Sequence, residues 1–100
     1  MDKKISLKQL AAKELHEETG YISQKLTYLF KALAASGTST ETYYFYLAEN
    51  LKKEKQHLEK YEMISVKWFG IKQAMKMIKE NKIVDAKAIQ GILFYYNFVR

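Results

Sequence analysis

Three glutamates, Glu14, Glu17 and Glu18, stand where a simple surface helix would not put them. Projected at about 100° per residue, Ser6 to Thr19 gives one apolar stripe of Leu7, Leu10, Ala11 and Leu15, with Glu14 and Glu18 inside it and Glu17 at its edge. The helix reading is firm at both ends. Ser6 and Gln9 have capping-box spacing, and Gly20 supplies a stop. Carboxylates near a helix C-terminus oppose the macrodipole, and turning them inward without a partner costs desolvation energy. A positive group is therefore expected against them. Oxygen donors at i, i+3 and i+4 suit a hard divalent cation, Mg²⁺ or Mn²⁺. A simpler pairing of Lys13 with Glu17 at i, i+4 would explain one glutamate and leave the other two unexplained.

The same stretch carries a resemblance. Lys13-Glu14-Leu15-His16-Glu17-Glu18-Thr19-Gly20-Tyr21 resembles the second half of the Nudix box, G-x5-E-x7-R-E-U-x-E-E-x-G-U, with Lys13 in the arginine position. Downstream, Ser36-Gly37 to Glu41 resembles the S-P-G-x-x-x-E loop of ADP-ribose pyrophosphatases, with Ser36 replacing the proline. The run from Tyr61 and Glu62 to Trp68 resembles their D-E-x-I-x-V-x-W segment, and Ile83 to Ile89 resembles I-x-D-A-K-T-I. Counting back from Lys13 puts the first box glutamate on Ile5 and its glycine just before Met1. The chain thus resembles the C-terminal part of such an enzyme, without the N-terminal strands and the G-G-x-x-E-x-G-E loop.

The resemblance implies an α+β fold: a partial Nudix domain over residues 1–100, with a mixed sheet flanked by helices as in an α/β/α sandwich. It implies a pyrophosphohydrolase in which Glu14, Glu17 and Glu18 hold Mg²⁺ or Mn²⁺, and Glu17, Glu18 and Glu62 take part in catalysis. Glu62 corresponds to a loop glutamate, with Glu59 as a competitor, and Lys13 is the orienting cation. Ser36, Gly37 and Glu41 would contact a nucleoside diphosphate derivative, with ADP-ribose, giving AMP and ribose 5-phosphate, favoured. A non-catalytic remnant that binds nucleotide or protein through an exposed sheet edge is the alternative.

Composition limits other classes. Hydrophobic content of 48% with 14% aromatic residues is that of a folded chain. One hundred residues suit one small domain. The absence of cysteine excludes disulfides and thiolate chemistry and suits the cytoplasm. No long apolar run or signal-peptide pattern is present, so no membrane association is expected. The net charge of +6 would suit an anionic partner. Much of it, however, sits where Lys52, Lys53, Lys55 and Lys60 alternate with Glu54 and Glu59, an ordinary solvated surface. No nucleic-acid motif accompanies it. His16 projects opposite the apolar stripe and His57 lies in the charged stretch, so neither is assigned to metal.

From Tyr21 to Ala35 the apolar pattern fits a helix or a strand, with the periodicity leaning to helix. The resemblance reverses that and makes Lys25 to Leu33 a strand. Ser36 to Thr40 reads as a loop, and Thr42 to Ala48 as an aromatic-rich strand pairing back. Tyr43, Tyr44 and Tyr46 are either ordinary strand residues or a stacking platform for a base. Glu49 to Glu62 reads as a charged loop, and Met63 to Phe69 alternates like a half-buried strand. Ile71 to Glu80 is an amphipathic helix with Ile71, Ala74, Met75 and Ile78 on one face. Asp85 caps a last helix whose apolar face is Ile89, Ile92, Leu93 and Tyr96, ending near Val99. An open sheet edge in such a partial fold favours a homodimer or a strand-exchanged oligomer. An all-helical basic interaction protein would require residues 21–48 to be helical.

Overall fold

In the computed structural model, Ser6 opens the first helix as the sequence predicts. Its side chain accepts from the Gln9 N–H at 3.1 Å, and the Gln9 side chain accepts from the Ser6 N–H at 2.9 Å. These reciprocal bonds satisfy two backbone donors that a bare helix start would leave unpaired. The helix α1 runs Leu7–Thr19 and stops at Gly20, whose φ of 79° lies in the left-handed region. A side chain there would be strained, which is why glycine ends the helix. The structure describes residues 5–36, 39–54 and 66–100.

Two long strands follow. β1 spans Tyr21–Ser36 and β2 spans Ser39–Lys53, paired antiparallel from Tyr21 with Lys53 to Ser36 with Ser39. Both expected strands exist and pair as expected, which removes the all-helical reading. They are longer than the pattern indicated. The loop expected over Ser36 to Thr40 shrinks, because Ser36, Ser39 and Thr40 belong to the ladder. Glu49 to Lys53, expected as loop, is strand. The cause is the ribbon's open end: the Glu54 N–H donates to the Gly20 carbonyl at 2.9 Å, so pairing continues up to the helix stop. Side-chain help comes from Ser23, whose hydroxyl lies 2.7 Å from the Glu49 carbonyl and 2.8 Å from that of Lys25, while accepting from the Lys25 N–H at 3.1 Å. That patch sits beside Asn50, which has φ of 55°. A register shift between Tyr28 and Phe30 bends the ribbon farther along.

The α+β class stands. Among the described residues the sheet is β1 and β2 alone, antiparallel, where a mixed sheet was expected. Cross-strand rings supply much of the contact: Phe30 stacks on Phe45 with centroids 4.2 Å apart, and Tyr28 meets Tyr46 edge-on at 5.6 Å. Helix α1 packs on β1.

The chain divides into two compact units, residues up to Val66 and Lys67–Arg100. Val66, at the end of the first, and Lys67 to Gly70, at the start of the second, have no regular structure, and Trp68 is 64% exposed. This corrects the strand expected over Met63 to Phe69 for its described part, while residues 63–65 lie outside the described residues. The alternation there is real, but no neighbouring strand pairs with these residues among those described, and alternation alone forms no ladder.

Helix α2, Ile71–Lys79, half-buries Ile71, Met75 and Ile78 around buried Ala74, the face the spacing predicts. It ends where Asn81 turns to φ of 63° and the Lys82 and Ile83 N–H groups donate to the Met77 carbonyl at 2.8 and 3.2 Å. Asp85 then caps α3, Ala86–Phe94, accepting from the Ala88 N–H at 2.9 Å. A π-helical turn continues it over Tyr95–Val99. Ile89, Ile92, Leu93 and Tyr96 are all half-buried, as their spacing predicts. Ion pairs of Glu80 with Lys82 at 3.5 Å and with Lys76 at 4.0 Å are exposed and add little. Among the described residues no helix is long and apolar enough to cross a membrane.

Removing the first cap should cost stability without changing the fold. Ser6→Ala is expected to lower unfolding free energy by about 1 kcal/mol. Gly20→Ala should cost at least about 1 kcal/mol, because alanine must take a left-handed backbone. Urea unfolding followed by circular dichroism measures both.

Candidate active site

The three glutamates share one helix but do not share one environment. Glu14 and Glu18 are exposed and Glu17 is half-buried, with Lys13 exposed beside them. Ala12, Leu15, His16 and Thr19 are partly covered, and the first half of α1 lines a groove against β1 through Lys8, Gln9 and Ala12. Of the expected apolar stripe Leu10, Ala11 and Leu15 are half-buried, and the covered surface extends beyond it to Ala12, His16 and Thr19. Leu7, first residue of that stripe, is 46% exposed. Burial of Glu14 and Glu18 was the expectation, and the structure overturns it: the covered surface of the helix is centred toward Ala12, Leu15, His16 and Thr19, which leaves both acids in solvent.

His16 lies on that covered surface. It was expected in solvent, yet it is half-buried with Nε2 3.4 Å from the Glu54 carbonyl oxygen. The next residues complete a tight corner. The Thr19 hydroxyl donates to the Leu15 carbonyl at 2.6 Å and accepts from the Tyr21 N–H at 3.1 Å, while the Gly20 N–H donates to the His16 carbonyl at 2.9 Å. The acidic turn of the helix is thus anchored from its opposite side, through His16, Thr19 and Gly20, to the start of β1 and the end of β2. His16 and Thr19 were missed as positioning residues. Their spacing of i and i+3, one turn before the glycine, was the available signal.

The remaining candidates are not gathered here. Glu41 is exposed on β2 opposite Ala34, near the far end of the hairpin, roughly 40 Å along the ribbon from Tyr21. The Tyr43 hydroxyl lies 3.4 Å from its Oε1. Ser36 ends β1 rather than standing in a loop. Gly37, His57, Glu59 and Glu62 lie outside the described residues. Of the tyrosines weighed as a stacking platform, Tyr44 and Tyr46 stand at alternate positions on one face of β2, and Tyr43 is on the other.

A divalent cation tests the acidic turn in kind and in number. In kind it fits, because carboxylate oxygens are the donors hard cations prefer. In number it does not: among the described residues no group of three or more His, Asp or Glu side chains is gathered to hold a metal ion. Ile5, at the position of the first box glutamate, is a half-buried alkyl side chain that offers no oxygen. The groove on the other side of α1, about 640 Å³, is lined by Lys8, Lys25, Gln9 and Gln24 over Ala12 and Leu26, and contains none of the three glutamates.

Comparison with known proteins bears on what this helix belongs to. Residues 2–91 match the model of the NUDIX domain. The chain is 33% identical over 86 residues to an ADP-ribose pyrophosphatase of Bacillus subtilis (strain 168), covering 84% of this chain and 46% of that protein. It is 34% identical over 87 residues to a GDP-mannose pyrophosphatase of Enterobacter sp. (strain 638), covering 84% and 44%. A methanol dehydrogenase activator of Bacillus methanolicus is 28% identical over 86 residues, covering 84% and 46%. The chain spans about half the length of these relatives.

The corner that anchors the acidic turn can be tested directly. Thr19→Val keeps the shape and removes the hydroxyl, leaving the Tyr21 N–H without that acceptor, at a cost of about 1 kcal/mol. Amide exchange at Tyr21 should speed up about fivefold by the same measure, with exchange in α2 unchanged.

Proposed function

Because this chain belongs to the Nudix family, we propose that it is part of a pyrophosphohydrolase that cleaves the diphosphate of a nucleoside diphosphate joined to another group. The observation that carries the reading is the row Glu14, Glu17, Glu18 on a helix that stops at Gly20, in the spacing of the family's own box. ADP-ribose is the favoured substrate, giving AMP and ribose 5-phosphate. Of the relatives compared above, one is named for ADP-ribose and another for GDP-mannose. Their shared chemistry, a nucleoside diphosphate bearing a sugar, supports this as the substrate class.

In this reading Glu14, Glu17 and Glu18 present carboxylate oxygens to Mg²⁺ or Mn²⁺. A bound divalent ion supplies charge against the diphosphate and lowers the pKa of a coordinated water. Since the described residues gather no three donors, further oxygens must complete the set, and no step is assigned through the ion. Glu17 and Glu18 do the work nearest the phosphates. Lys13 opposes their charge with a single ammonium, a point donor where arginine would offer a fork. Glu62 is proposed as a general base, and Ser36, Gly37 and Glu41 as substrate contacts. Lack of cysteine supports a cytoplasmic setting.

The exposure of Glu14 and Glu18 favours a second reading, a module that binds nucleotide or protein without hydrolysis. One experiment separates them: release of AMP from ADP-ribose by the purified chain, with and without Mg²⁺, alongside calorimetry. Hydrolysis predicts Mg²⁺-dependent AMP release that Glu17→Gln and Glu18→Gln each reduce about a hundredfold or more. Heat of binding with no AMP above those variants would establish the second reading in its place.

A further inference from the structure

Glu54, the residue after β2, has both its main-chain groups engaged by the last turn of α1. Its N–H donates to the Gly20 carbonyl at 2.9 Å, and its carbonyl oxygen lies 3.4 Å from His16 Nε2. A carbonyl oxygen can only accept, so in this contact His16 carries a hydrogen on Nε2 and donates it. His16 and Gly20 are four residues apart, about 40° round the helix, so both contacts lie on one side of it. They act differently. The Gly20 carbonyl sits close to the helix axis and fixes where the helix ends, whereas the imidazole reaches about 6 Å from the axis and resists its roll. A roll of about 20° at that radius would carry the ring about 2 Å from its acceptor, out of hydrogen-bond range.

The acids follow from the same count. Glu14 and Glu18 each stand two residues from His16, about 160° round the helix, and both are exposed. Glu17, adjacent to His16 and about 100° away, is half-buried. Holding His16 against the end of the hairpin therefore holds Glu14 and Glu18 away from it. We propose that His16 is the positioning residue of the acidic turn: through Glu54 it sets the rotation of α1, and with it which carboxylates face an incoming nucleoside diphosphate. The box pattern leaves position 16 open to any residue, so the role comes from the contact this chain makes. The rotation is independent of any activity, while its effect on phosphate chemistry rests on the hydrolytic reading.

Carbodiimide labelling of carboxylates in the intact chain, quantified residue by residue by mass spectrometry, reads the rotation, and AMP release from ADP-ribose with Mg²⁺ reads its effect. Glu14 and Glu18 should label faster than Glu17. His16→Leu removes the donor and keeps an apolar side chain, so the helix can roll and Glu17 labelling should rise about threefold, with Glu49 on β2 unchanged. His16→Gln restores an N–H donor and should return Glu17 close to its original rate. In a chain that releases AMP, His16→Leu should lower kcat about thirtyfold while KM moves by less than about threefold, and His16→Gln should recover most of the loss. A chain that releases no AMP defeats the hydrolytic reading, and labelling alone then decides the rotation. Glu17 labelling indifferent to His16→Leu, a rise shared by Glu49, no recovery in His16→Gln, or an unaltered kcat in a chain that hydrolyses would each overturn the proposal.

Discussion

The junction at Gly20 sets the geometry on which the first unit depends. Four bonds converge on two residues: the Gly20 N–H donates to the His16 carbonyl, its own carbonyl accepts from the Glu54 N–H, and the Thr19 hydroxyl donates to the Leu15 carbonyl and accepts from the Tyr21 N–H. Helix end, strand start and the returning strand's end are therefore fixed at one point. A left-handed glycine makes this arrangement accessible, because the chain must reverse from helix to strand with no residue to spare. This corner fixes the end of the helix that carries the acidic turn.

That is also why part of the architecture was readable and part was not. Local signals were sufficient for the helices. Ser6 with Gln9, Gly20 and Asp85 each satisfy or end a few backbone groups by contacts within three or four residues, and the bonds they imply are present. The faces Ile71, Ala74, Met75, Ile78 and Ile89, Ile92, Leu93, Tyr96 follow from spacing for the same reason. Strand length could not be read this way. Whether Glu49 to Lys53 extends β2 depends on β1 starting directly at Tyr21, residues apart in sequence and opposed only in the ladder. Here periodicity leaned toward helix and the family resemblance gave the strand correctly.

The site was legible in its residue types and not in its orientation. A helical wheel identifies which residues share a face, but it does not say which face meets a neighbour. Hydropathy favoured the Leu7, Leu10 side; close approach favoured the side where Ala12 faces Leu26 across a polar groove, and His16 reaches the Glu54 carbonyl. Hydropathy thus located Leu10, Ala11 and Leu15 on the covered side, but it could not show that the covered surface extends to Ala12, His16 and Thr19 and leaves Leu7 open. The same limit applied to Val66 and Trp68, whose alternation indicated a covered strand that these described residues do not form.

A helix covered on one side has a consequence for its acids. On one side α1 is committed to β1. On the other, Leu7 is largely open and Glu14 and Glu18 reach water, so the desolvation cost that an inward-facing pair would carry is not incurred. The glutamates can then remain close together on one helix as charged groups in a high-dielectric setting, where mutual repulsion is modest. Drying that face would raise the cost of their charge and at once strengthen their attraction for a cation. Coverage of the Leu7 side and metal affinity are therefore coupled physically: the layer that hides the leucine also lowers the dielectric around the carboxylates. Were a divalent ion to bind these acids, covering Leu7 would strengthen its hold before any added ligand did.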